Sequence, residues 1–276
     1  MARILAVTNQ KGGVGKTTTA INLAASLAVA KKRVLVIDSD PQGNLTSGVG
    51  LRGQAAAAGT VYDALLADQL TDVTAFVMPT RLDGLHAIPS DRNLSGAEIE
   101  LVTADHRETR MRRLTAPLRA NYDYVIIDCP PSLGLLTLNA LVAADAVVIP
   151  LHCEYFALEG LAELVSTLRR VRATFNPDLD IEGVLMTMYD ERTNLGQQVS
   201  KDVRAFFQEK VFDTVIPRNV RLGEAPSHGM PVIMYDPKSR GAEAYLALAK
   251  EVITRNGGLA RVQADAATAT APQTTS

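Results

Sequence analysis

The stretch Lys11-Gly12-Gly13-Val14-Gly15-Lys16-Thr17-Thr18 constrains this chain more than any other part of it. It follows an apolar run, Ile4–Thr8, that reads as a strand, and it opens a helical pattern over Thr17–Ala30. A glycine-rich turn in that setting can wrap closely around an anion, with backbone N–H groups facing inward and the positive end of the helix dipole behind them. Lys16 then reaches the β- and γ-phosphates of a nucleotide, the Thr17 hydroxyl ligates Mg²⁺, and Thr18 completes the cradle near the α-phosphate. A strand-to-helix turn with incidental glycines has no need of a lysine and two hydroxyls at these positions.

The rest of the chain repeats the same alternation. Strands are expected at Arg33–Asp38, Tyr124–Asp128, Ala146–Pro150, Gly183–Met188 and a run near Val211–Ile216, and helices at Leu135–Ala143, Leu158–Phe175, Gly196–Phe207 and Ala242–Arg255. Runs such as Val125-Ile126-Ile127 and Val147-Val148-Ile149 are apolar at every position, as strands covered on both sides must be. The expectation is an α/β fold of the P-loop NTPase kind, a mostly parallel twisted sheet with helices on both faces, forming one domain over residues 1–255. Residues 50–81 read as a surface excursion with one short helix. From Asn256 the composition turns to Gly, Ala, Thr, Gln and Pro without periodicity, which predicts a disordered tail over 256–276.

Two aspartate groups fall where an open α/β sheet places its ligand crevice, at the carboxyl ends of strands. Asp38 and Asp40 close the second strand in Asp38-Ser39-Asp40-Pro41-Gln42-Gly43. Asp128 ends Tyr124-Val125-Ile126-Ile127-Asp128 and is followed by Cys129-Pro130-Pro131. Alone, a strand-terminal aspartate is more often a cap or turn residue. Beside a phosphate loop, Asp128 reads as the carboxylate that holds Mg²⁺ through water, and the two prolines stiffen a loop that can respond to the γ-phosphate.

These motifs resemble the deviant Walker A ATPases of the ParA/MinD type, in which two lysines flank the glycines. The resemblance continues through Asp38–Asn44, Asp128–Ser132, Glu154–Gly160 and Pro217-Arg218-Asn219-Val220-Arg221, and covers nearly the whole chain to about Arg255. It is nearest to the chromosomal ParA (Soj) branch. The resemblance implies an ATP-dependent homodimer in which Lys11 reaches the phosphates bound by the other subunit, Asp40 positions the attacking water, and Pro217 with Asn219 lies against adenine. It also implies non-specific binding of double-stranded DNA by the dimer and stimulation of hydrolysis by a ParB-type partner. The cycle would then run in the cytoplasm on the nucleoid. Arg192 and Arg221 are the phosphate-contacting residues it suggests, with Lys201 and Arg204 as neighbours.

Composition sets limits on the alternatives. A net charge of −2 gives no global attraction to nucleic acid, and between Arg169 and Arg221 nine basic residues face eight acidic ones, so a DNA site has to be a local patch. No window reaches the roughly eighteen apolar residues of a membrane span, and the last twenty residues lack the apolar and basic faces of a MinD-like anchor. The two cysteines, Cys129 and Cys153, match neither a CxxC pair nor a zinc framework and read as reduced core thiols. Their spacing also disfavours an iron-sulfur redox ATPase.

Overall fold

In the computed structural model, which describes residues 1–154 and 157–269, the chain alternates strands and helices. The first part comprises β1 (Arg3–Val7), α1 (Lys16–Val29), β2 (Val34–Asp38), α2 (Asn44–Gly48), α3 (Val61–Leu66), β3 (Met78–Pro79), β4 (Leu85–Ile88), α4 (Leu94–Glu100), α5 (Arg110–Leu118) and β5 (Tyr124–Asp128). It continues with α6 (Leu135–Ala143), β6 (Ala146–His152), α7 (Ala157–Thr174), β7 (Asp180–Thr187), α8 (Asn194–Phe207), α9 (Val220–Glu224), α10 (Val232–Tyr235) and α11 (Arg240–Ala269). The sheet has seven strands in the order β3-β4-β2-β5-β1-β6-β7, and only the β3–β4 pair is antiparallel.

Alternation along each strand divides the core into two layers. Ile4, Ala6, Val125, Ile127, Val147 and Ile149 join one apolar cluster with α5, α6 and α7. Leu5, Val7, Val34, Val36, Ile126 and Val148 join the other, with α1 and α11. Every one of these twelve side chains is fully buried, which explains why their strands show no polar face. The expected α/β architecture is the one observed.

Register positions the site. Val7 pairs with Asp128, and Asp128 pairs in turn with Asp38, so β1, β5 and β2 end level with one another. Because β5 lies between β1 and β2, the chain must leave β1, cross over through α1 and return two positions away. That crossing opens a crevice at the carboxyl ends of the strands.

Three expectations differ from the structure. The run Val211–Ile216 is not a strand but a segment trailing along β7 through isolated bridges, Val184 with Val211 and Tyr189 with Pro217. Its ladder breaks because the N–H groups of Asp213 and Thr214 donate to the Glu251 carboxylate, at 2.9 and 3.0 Å, instead of to a strand. Next, β4, α4 and α5 went unforeseen: β4 is four residues long, and α5 carries an internal proline, Pro117. Finally, helix α11 continues through Ala269, past the point where composition predicts the tail to begin, and residues 270–276 lie outside those described. No helix among the described residues is long and apolar enough to cross a membrane. Both cysteines are free and buried, as expected.

Candidate active site

The loop between β1 and α1 is tied down at its start by Asn9. Its amide donates to the Pro150 carbonyl at 2.8 Å, and its oxygen accepts the Lys11 N–H at 3.0 Å. Gly13 (φ 72°) and Gly15 (φ 86°) then adopt the left-handed conformation that a Cβ would penalise. Gly15 is also the N-cap of α1, so the first-turn N–H groups of Lys16, Thr17 and Thr18 face the loop without helical partners. A cavity of about 560 Å³ opens above them. Its lining includes Lys16, Thr17, Thr18, Asp40, Pro217 and Asn219. The phosphate residues and the two residues expected at adenine thus share one pocket, although roughly 200 positions separate them in sequence.

The Lys16 side chain lies in the loop with Nζ donating to the Lys11 carbonyl at 3.1 Å. Burial lowers its pKa, while the nearby Asp128, Cys129 and Asp40 oppose that shift. Asp128 is fully buried, and neither carboxylate oxygen has a hydrogen-bond partner among the described residues. Burial raises its pKa well above the ordinary carboxylate range, helped by Asp38; the adjoining Thr17 hydroxyl pulls the other way without completing a hydrogen bond. An orphaned buried carboxylate costs stability unless something positive answers it. With Thr17 beside it and a phosphate cradle above, the donor set fits Mg²⁺, a hard ion that takes few protein ligands and completes its shell with phosphate oxygens and water.

The two neighbouring aspartates divide their work. Asp38 is structural: one oxygen accepts both the N–H and the hydroxyl of Thr46, at 2.8 and 2.6 Å, and the other accepts the Asp40 N–H at 3.2 Å. Burial still pushes its carboxyl up to about 6. The Thr46 hydroxyl accepts from the Ser90 N–H, and the Ser90 hydroxyl donates to the Asp40 carbonyl at 3.0 Å, closing a ring of bonds that holds the Asp40 backbone. Asp40 itself lines the cavity, with one carboxylate oxygen accepting the Gln42 N–H at 2.9 Å.

Lys11 behaves differently from Lys16. Its ammonium is turned away from the loop and pairs with Glu154 at 2.5 Å, while the other Glu154 oxygen meets His152 at 2.7 Å. The Lys11 contact pulls the Glu154 carboxyl below its usual range. Glu154 is followed by Tyr155 and Phe156, the part of the Glu154–Gly160 motif that lies outside the described residues.

The four arginine and lysine candidates stand on different elements and are engaged differently. Arg192, in the turn before α8, pairs with Asp190 at 2.7 Å. Lys201 is exposed on α8. Arg204, on the same helix, lines a separate cavity with Asp180, Lys210 and Arg255 that includes none of the other three. Arg221, on α9, pairs with Glu224 at 2.7 Å and Asp236 at 3.2 Å. Asn219 accepts the Arg221 N–H at 2.8 Å as the cap of α9, which leaves its amide NH₂ available to a base. Reading the sequence missed Arg218, Thr187, Met188 and Tyr245, which also line the nucleotide cavity. Arg218 sits inside the Pro217–Arg221 motif; the other three carry no local signal.

Comparison with known proteins agrees with this geometry. A family model described as an AAA domain matches residues 2–181. The sporulation initiation inhibitor protein Soj of Bacillus subtilis is 59% identical over 252 residues, spanning 91% of this chain and 98% of that protein. The chromosome partitioning protein ParA of Myxococcus xanthus is 56% identical over 256 residues, spanning 93% and 89%. Among solved structures, one named cobyrinic acid a,c-diamide synthase from Mycobacterium smegmatis, with bound ATP analogue and magnesium, superposes with a TM-score of 0.76. It is 39% identical, covering 91% of this chain and 93% of that one.

Proposed function

The chain belongs to the ParA/Soj family of partition ATPases, and on that premise we propose that it is a molecular switch in which ATP drives dimerisation. The dimer binds DNA without sequence preference, and a ParB-type partner stimulates hydrolysis and resets the cycle. The observation that carries this reading is the convergence of Lys16, Thr17 and Asp40 on one cavity, with the unpartnered Asp128 carboxylate behind them.

The chemistry follows from what each side chain can do. The loop amides and Lys16 bind the phosphates and keep positive charge where negative charge develops during transfer. Thr17, and Asp128 through water, would hold Mg²⁺, which when bound offsets charge on the β- and γ-phosphates. Asp40, held at the rim by its ring of backbone bonds, orients the attacking water and accepts its proton. The chain's own Lys16 already fills the lysine role of a phosphate loop. Lys11, resting on Glu154 away from that loop, is therefore proposed to act on the nucleotide of the partner subunit. A cation supplied in trans is worth roughly 10³–10⁵ in phosphoryl-transfer rate. Lys11→Ala should keep wild-type affinity for Mg-ATP in calorimetric titration and lose stimulated turnover by about that factor. A variant with normal stimulated turnover removes the cross-subunit role.

DNA binding is proposed to use Arg192 and Arg221 from both subunits, with Lys201 and Arg204 adding charge. Carboxylates engage the two arginines in the single chain, so a phosphate must replace a protein partner. That exchange keeps each contact weak and makes doubling the set on dimerisation decisive. Replacing Arg221 by Glu should weaken binding to two unrelated duplexes alike in the presence of ATP. It should also flatten the log–log salt dependence by about 0.9 for each DNA phosphate that the variant leaves unneutralised. Equal affinity in ATP and ADP, measured by fluorescence anisotropy across a salt series, would sink the ATP-gated DNA reading.

A further inference from the structure

The phosphate loop is gripped by a side chain from the edge strand β7, two strands from β1. We propose that Thr187 is a positioning residue that aims the Gly15 amide at the phosphates of the nucleotide, a role that rests on the ATPase reading above. Thr187 is the last residue of β7 and is buried. Its hydroxyl donates to the Val14 carbonyl at 2.7 Å, across 173 residues of sequence.

The consequence follows from the planarity of the peptide bond. In a trans peptide the carbonyl and the following N–H point in opposite directions. When Thr187 draws the Val14 carbonyl toward the sheet, the Gly15 N–H must face into the loop. That N–H has no protein acceptor among the described residues. The loop cannot set this orientation alone, because Gly15 tolerates either sense of the peptide on its amino side. Val14 is buried, so the peptide is fixed from both ends.

The same strand end reaches the opposite side of the pocket. Met188 follows with φ 49°, a left-handed backbone that a side chain seldom adopts, and the turn lets Tyr189 pair with Pro217. Three consecutive residues therefore set the distance between the phosphate loop and the Pro217–Asn219 segment. Thr187 sets the phosphate end.

The test compares Thr187→Ser, which keeps the hydroxyl, with Thr187→Val and Thr187→Ala, which lose it. Calorimetric titration with Mg-ADP and Mg-ATP should give wild-type affinity for Ser and roughly ten- to a hundredfold weaker binding for Val and Ala, the span expected for a hydrogen bond to a charged group. ADP and ATP should lose equally, since the seated phosphates are common to both. In steady-state turnover KM should rise by the same factor with kcat changed less than about threefold, because the contact is made in ground and transition states alike. A residue that only stabilised the fold would lower the melting temperature and leave this split unmoved. Val and Ala variants that bind within twofold of wild type, or a Ser variant as weak as Ala, overturn the assignment. A wild-type protein that binds no nucleotide removes the ATPase reading itself, an outcome distinguishable from either.

Discussion

Replacing Lys16 by Ala should abolish measurable binding of ATP. The side chain is buried in the loop beside three acidic or weakly acidic groups, Asp128, Asp40 and Cys129. In the wild type its ammonium is the positive charge that lets the polyphosphate approach those carboxylates. Without it, the nucleotide must bring several negative charges next to Asp128, whose oxygens already lack partners. Removing one member of a buried charge arrangement costs about 3–5 kcal/mol. Applied to binding, that is on the order of 10²–10⁴ in affinity, enough to carry it below detection. Calorimetric titration with Mg-ATP is the direct measurement, with circular dichroism to verify folding. Binding within tenfold of wild type would remove Lys16 from the phosphate site.

Replacing Asp40 by Ala should separate hydrolysis from binding. The Asp40 backbone is held by Ser90 and by the Asp38 carboxylate, so the truncation leaves the loop path intact and deletes only the group facing the pocket. Loss of a general base typically lowers turnover by about 10²–10⁴. Nucleotide affinity should change little, because the phosphates are gripped from the other side by Lys16 and the loop amides. With hydrolysis blocked, ATP cannot be discharged, and the dimer should persist through size-exclusion chromatography with light scattering. Unchanged turnover, or a monomer at saturating ATP, contradicts the assigned role. Asp40→Asn, which keeps the Gln42 N–H acceptor, should behave like Ala in turnover and like the wild type in thermal melting.

How much of this was legible in the sequence depends on how local the signal was. The placement of Lys16, Thr17 and Asp128 at one end of the sheet could be read because each stands beside a turn or at the end of an apolar run. The level ending of β1, β5 and β2 then follows from parallel pairing alone. Asp38 could not be separated from Asp40 by inspection. Only the fold brings Thr46 and Ser90 around it and makes it an anchor. Thr187 gives no hint of itself for the same reason: its partner is a carbonyl, and every residue has one. The short β4 and the proline-bearing α5 were missed because tertiary packing overrides weak local preference there. Met111, Leu114 and Leu118 of α5 are buried in the core, whereas Arg112 directs its charge to the carbonyls of Val142 and Phe175. The ion pairs of Arg221 with Glu224 and with Asp236 were not foreseen, and the second joins residues fifteen positions apart.

The packing of α11 on α1, where the Thr19 and Tyr245 hydroxyls meet at 3.1 Å, bears on how the protein is made. The helix that starts at the phosphate loop is synthesised well before α11, which joins its apolar cluster through Ala242, Tyr245, Leu248 and Val252. At about 5–20 residues per second, synthesis of a chain this long takes on the order of tens of seconds. Until α11 emerges, the strands can cover one side of the helix carrying Lys16, but the side on which Thr19 meets Tyr245 stays open. A product truncated ahead of Tyr245 would leave that side of the helix uncovered, a surface that quality-control proteases can recognise.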